Sequence, residues 1–104
     1  MRETLPERRS SETFKFRFGG QNGAYHLTVG YYPDGRIGEL FISTNKIGSA
    51  AEAIARDIAI LMSLNLQLGG SLQTMRDALT REQDGSASTI AGAVADLLTK
   101  GAIC

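Results

Sequence analysis

The chain has 104 residues, 42% of them apolar and 21% charged, with Lys plus Arg equal to Asp plus Glu at 11 each. A chain of this size buries roughly 65% of its unfolded surface without metals or disulfides, so a soluble globular protein is expected, neither disordered nor fibrous. The balanced charge argues against general attraction to nucleic acid or a membrane surface, and a lone terminal cysteine, Cys104, excludes an internal disulfide, a zinc cluster and a Cys-x-x-Cys redox pair.

The first twelve residues, MRETLPERRSSE, have no apolar stretch of signal-peptide type. They contain Pro6, carry Arg2, Arg8 and Arg9, and read as a flexible N-terminal arm ahead of a single domain over 13–104. TFKFRF alternates strictly, with Phe14, Phe16 and Phe18 on one face and Lys15 and Arg17 on the other, the pattern of a half-buried strand. GGQNG is a turn. AYHLTVGYY alternates again, with Tyr25, Leu27, Val29 and Tyr31 facing the core and His26, Thr28 and Tyr32 the other way, before a PDG turn and a third strand, IGELFIS.

These strands predict an antiparallel β-meander whose apolar face needs a cover. Between Ser49 and Leu68, Ile54, Ile58, Leu61 and Leu68 recur at helical spacing, widened by Ala51, Ala55 and Met62. Ser49 and Glu52 form a capping box at the start, and Gly69-Gly70 supplies a left-handed stop. A short second helix follows Ser71, and a third, capped by Ser86 or Ser88, turns Ile90, Val94 and Leu97 or Leu98 inward and ends at Gly101. The fold class is therefore α+β, a three-stranded antiparallel meander followed by three helices packed on one face. The longest apolar-rich stretch, 50–68, is interrupted by Glu52, Arg56, Asp57 and Asn65, so no membrane span is predicted and a cytosolic location is expected.

NKIGSAAE and DGSAS are the two places where a Gly-Ser loop opens into a predicted helix, presenting unpaired amides and the positive end of a helix dipole. Both suit an anion, and Lys46 or Arg81 adds charge. Capping explains each loop on its own, and the full P-loop spacing is absent. Arg8 and Arg9 could close on a phosphate or a partner, and Arg56 and Asp57 sit mid-helix among apolar residues. His26, the only histidine, has no acidic or thiol neighbour in sequence that would make it a base or ligand. No Ser-His-Asp, His-x-x-x-His or paired-carboxylate pattern is present, so no catalytic residue is assigned.

The order LPERRSSETFKF, YYPDGRIGELFIS, KIGSAAEAIARDIAILMSLNLQLG and DGSAS resembles the TSCPD-type domain. That domain occurs near the C-terminus of adenosylcobalamin-dependent (class II) ribonucleotide reductases and as small free-standing proteins. The resemblance runs from about Leu5 to Leu98 and includes Arg8, Arg9, Asp34, Gly35, Gly48, Ser49, Arg56, Asp57, Gly85 and Ser86. The reductase barrel, its radical cysteine and its cobalamin site do not fit this chain, and the cysteines some members carry are missing. The resemblance therefore implies neither reductase activity, nor a cofactor, nor a metal. The expectation is a non-catalytic module that binds a nucleotide or other phosphate-bearing ligand through Lys46, Gly48, Ser49, Arg56, Gly85, Ser86, Arg8 and Arg9. The alternative is a protein-interaction or regulatory module that forms a homodimer or docks on a reductase or another protein.

Overall fold

The computed structural model describes residues 1–19, 23–45 and 48–99. The predicted turn residues 20–22, Lys46, the helix stop at Gly101 and Cys104 lie outside the described residues. The order is β1 (Ser11–Arg17), β2 (Ala24–Tyr31), β3 (Ile37–Thr44), α1 (Ala50–Gln67), α2 (Leu72–Ala78) and α3 (Ile90–Thr99), an α+β arrangement as predicted. The chain divides after Gly69 into two compact units, the sheet with α1 and then α2 with α3.

In the first unit the sheet order is β1-β2-β3, antiparallel throughout, which leaves β1 and β3 as edges. β1 starts two residues earlier than the Phe alternation suggests, because Ser11 and Glu12 pair with Gly30 and Val29. Leu27, Val29, Leu40 and Ile42 are buried on one face, and the fully buried ones each contribute about 1.5–3 kcal/mol. The other face shows Lys15, His26 and Ser43 in a row across the strands.

Tyr32 does not continue the alternation outward. Gly30 pairs with Glu39 but Tyr31 pairs with Ile37, so Gly38 is an extra residue that breaks the register, and Tyr32 leaves the strand and turns inward to 5% exposure. Its hydroxyl donates to the Glu3 carbonyl and its ring lies 4.5 Å from the Arg36 guanidinium carbon. Gly38 permits this approach, since a Cβ there would stand 2.7 Å from Tyr32 Cε2 and 3.0 Å from Leu5 Cδ2.

α1 starts as predicted, with Ser49 Oγ accepting from the Glu52 amide at 3.1 Å, and it stops before Gly69, whose φ is +102°. Its inward face keeps the predicted Ala55 and Met62 but is turned away from the large residues of the predicted stripe. Ala55, Ala59, Met62 and Gln67 are buried, whereas Ile54, Leu61 and Leu68 are 57%, 66% and 60% exposed. Alanines at 55 and 59 let the helix lie close to β3, and the larger residues fall about 100° further round the helix.

In the second unit α2 is capped by Ser71, as predicted. Neither Ser86 nor Ser88 caps α3. Thr89 precedes it, its carbonyl accepting from Ala93 N at 3.0 Å and its hydroxyl from Gly92 N at 3.5 Å, while the two serines are bound to Asp84 and Glu82. α2 and α3 are joined through Asp96, which receives Arg81 Nη1 and Nη2 at 2.7 Å each and Arg76 Nε at 2.9 Å.

Candidate functional site

The predicted ligand residues fall into three places. Gly48, Ser49 and Arg56 gather around Glu52 at the start of α1: Gly48 N donates to Glu52 Oε1 at 2.8 Å, Arg56 Nη2 pairs with the same oxygen at 3.4 Å, and Ser49 Oγ accepts from the Glu52 amide. Gly85 and Ser86 belong to the second unit. There Asp84 Oδ1 accepts from Ser86 N at 2.9 Å and from Ser86 Oγ at 2.6 Å, and these bonds hold the Asp84 carboxyl below its ordinary range. Each Gly-Ser loop thus has an internal carboxylate on its amide.

Arg8 and Arg9 stand at the other end of β3 from Gly48, because Arg9 pairs with Glu39 while α1 follows Thr44. Arg9 also reaches the Pro6 carbonyl. Both arginines, with Ser10, Tyr31, Tyr32, Pro33 and Gly35, line a pocket of about 300 Å³. Burial raises the Tyr32 phenol pKa, with the Glu3 charge adding to it. Asp34 is held below its ordinary range, first by the Arg36 amide and then by the Arg36 side chain.

A larger feature was not anticipated. A groove of about 510 Å³ runs between the outer edge of β3 and α1, walled by Phe41 and Ile42 on one side and Ile60 and Leu64 on the other. Its base is closed by two polar side chains of α1. Ser63 Oγ accepts from Leu40 N at 2.8 Å, and Gln67 Nε2 donates to the Gly38 carbonyl at 2.9 Å. These are backbone groups that an edge strand otherwise offers to another strand. The N-terminal residues attach at the same end: Arg2 Nε donates to Gln67 Oε1 at 2.6 Å and Glu3 N to the Gln67 carbonyl at 2.7 Å. The available signal was a Ser and a Gln four residues apart on a helix face otherwise lined by Ala and Met.

Among the described residues no buried side-chain nitrogen or oxygen lacks a partner, no group of three or more His, Cys, Asp or Glu is placed to hold a metal, and no helix is long and apolar enough to cross a membrane.

Fold and groove together define a small α+β domain built on a plugged sheet edge. The chain belongs to the TSCPD domain family, which matches residues 2–101. It is similar to vitamin B12-dependent ribonucleotide reductases. That of Agrobacterium fabrum is 43% identical over 79 residues, 76% of this chain and 6% of the reductase. That of Bradyrhizobium diazoefficiens is 42% identical over the same length and shares. The enzyme of Streptantibioticus cattleyicolor is 35% identical over 74 residues, 71% of this chain and 12% of that protein. The chain therefore spans only a small part of the length of these relatives. No solved structure matches it.

Proposed function

We propose that this ribonucleotide-reductase-related TSCPD domain is a non-catalytic module that works by docking on a protein, with a vitamin B12-dependent ribonucleotide reductase as the first partner to test. One observation carries the proposal: α1 bears a second apolar row about 100° around the helix from the face that lies on the sheet. Its alanine face lies on the sheet, and Ile54, Leu61 and Leu68, spaced seven residues apart, are more than half exposed in that second row. A row of large apolar side chains left exposed on a helix already packed through another face calls for a cover. The similarity to reductases supports that choice of partner, since their matching segment is one part of a much longer chain.

The test is sedimentation of the purified chain with a purified reductase of this class and alone, for the wild type and for Leu61→Asp. Association that Leu61→Asp abolishes is the expected result. Absence of any association, or association indifferent to Leu61→Asp, overturns the proposal.

A phosphate-binding role draws on a different observation, the Arg8–Arg9 pocket. It is the weaker proposal, because Glu39 takes Arg9 and because Glu52 and Asp84 already answer the Gly48 and Ser86 amides. Calorimetry with linear and cyclic nucleotides on the wild type and Arg8→Ala tests it, and heats that are absent or unchanged by the substitution dismiss it.

A further inference from the structure

The groove beside β3 carries charge at both ends and apolar side chains between. Arg2 lies at the Gln67 end, tied to that residue by its Nε. Arg56 lines the groove eleven residues earlier on α1, about 16 Å away at 1.5 Å per residue. Glu39, the acidic residue that lines the groove, is already paired with Arg9, and Arg56 pairs with Glu52 through Nη2 alone at 3.4 Å, so positive donors of Arg2 and Arg56 still face the groove. Its middle is formed by Phe41, itself 54% exposed, with Ile42, Ile60 and Leu64.

A straight cleft of that length matches about five residues of extended chain at roughly 3.3 Å each. The backbone supports the same shape only in part. Leu40 pairs with Val29, and its N–H is taken by Ser63, so it points away from β2. By the alternation of an antiparallel ladder the Ile42 N–H and C=O also point to the outer edge. One strand-like pair of hydrogen bonds is therefore on offer at Ile42, beyond the plug, and the rest of the recognition falls to side chains.

We propose, resting on the docking role above, that this groove takes an extended segment of the partner protein in which two acidic side chains, six positions apart and so on the same face, flank apolar residues on that face. The acidic ends meet Arg2 and Arg56, each of which keeps guanidinium donors for a carboxylate in a fork geometry. The apolar residues cover Phe41 and Ile60, and the backbone meets Ile42.

Fluorescence polarisation of the full chain with a labelled, amidated peptide, Gly-Asp-Thr-Ile-Thr-Leu-Thr-Asp-Gly, whose two Asp, Ile and Leu share one face when extended, tests this. Its twin carries lysine in place of both aspartates. The acidic peptide is expected to bind saturably at low salt and the lysine twin not at all. Arg2→Glu and Arg56→Glu are each expected to weaken binding about tenfold, as for loss of one charge-assisted contact, and their combination to abolish it. Arg17→Glu, on the opposite edge strand, is expected to leave it unchanged, which separates a local site from general charge attraction. Circular dichroism confirms that the variants fold.

Equal binding of both peptides, no binding up to about 1 mM, or binding that survives the double substitution overturns the inference. So does a concentration-dependent dimer that shuts the peptide out and is lost on Arg56→Glu, since the occupant is then a second copy. The two proposals fail separately. If the reductase complex depends on Leu61 but tolerates Arg2→Glu with Arg56→Glu, docking stands and the groove is not its site. If the complex is indifferent to Leu61→Asp, the docking proposal falls whatever the groove variants do.

Discussion

Removing the Gln67 side chain opens the edge of β3. Gln67 is 6% exposed, and its amide nitrogen satisfies the carbonyl of Gly38, also a buried residue. Gln67→Ala leaves that carbonyl without a partner, at about 1–3 kcal/mol, and gives up buried methylenes at about 0.8 kcal/mol each. A loss of about 2–4 kcal/mol is expected, equivalent to about 10 °C or more in Tm. All three tyrosines, Tyr25, Tyr31 and Tyr32, belong to the first unit, and the chain has no Trp, so tyrosine signals during urea unfolding report on this unit. Gln67→Glu sharpens the test. It keeps an acceptor for Arg2 but loses the N–H donor, so at pH 7 it turns a carboxylate oxygen toward the Gly38 carbonyl and destabilises about as much as alanine does. With Arg2→Ala added, which removes the cation that favours the carboxylate, the protonated side chain can donate again, and burial against the Gly38 carbonyl raises its folded pKa above the usual glutamate value of about 4.3. Stability contributed by a raised carboxyl is present below the unfolded value and lost as pH rises through the folded one, so this double variant should recover toward Arg2→Ala alone near pH 4. A Gln67→Ala cost below about 0.5 kcal/mol, or a Gln67→Glu, Arg2→Ala double variant that shows no acid recovery, refutes the assignment of Gln67 as the plug of the edge.

Asp96→Asn removes the charge that holds Arg76 and Arg81 together, so amide exchange across α2 and α3 should quicken about tenfold while the sheet and α1 keep their protection. Gly38→Ala places a methyl group against Tyr32 and Leu5, and a cost of about 1–3 kcal/mol is expected in the urea assay. The carboxyls of Asp34 and Asp84 are depressed in the folded chain, so the stability they contribute is full above the ordinary value of 3.8 and is lost as pH falls through their lower folded values. Acid unfolding followed below pH 3.8 should therefore shift upward in pH on Ser86→Ala, which removes the hydroxyl bond that does most to lower the Asp84 carboxyl.

The meander was legible because its alternation is strict and its turns carry Gly, Pro and Asp. The caps at Ser49 and Ser71 were legible for a similar reason: they depend on residues three positions apart. What periodicity could not decide was the orientation of α1. Ile54, Leu61 and Leu68 form one apolar stripe, and Ala55, Ala59 and Met62 form another. A moment summed over the helix favours the larger side chains, whereas the sheet selects the smaller ones that allow close approach. Tyr32 was misplaced for a different reason, an inserted residue at Gly38 that no local pattern announces. The candidate ligand residues were chosen for amides at helix starts. The carboxylates that occupy two of those amides, Glu52 and Asp84, were themselves in view, but the geometry that brings Asp84 onto Ser86 is not a matter of spacing alone.

The plugged edge bears on how the domain can be used. Addition of a strand along β3 would need the outward groups of Gly38 and Leu40, and α1 already satisfies the Gly38 carbonyl and the Leu40 amide with Gln67 and Ser63. This device blocks open-ended pairing of sheets, a common route to aggregation. It also moves recognition away from the backbone and onto side chains. On this side of the sheet, the exposed row of Ile54, Leu61 and Leu68 and the groove between Phe41 and Ile60 are offered to a partner. Binding built on such contacts depends on a few apolar anchors with charge at the rim. For that reason substitutions at Leu61 and at Arg56 should act differently. A change at an anchor such as Leu61 chiefly speeds dissociation, and a change at a rim charge such as Arg56 chiefly slows association and flattens the salt dependence.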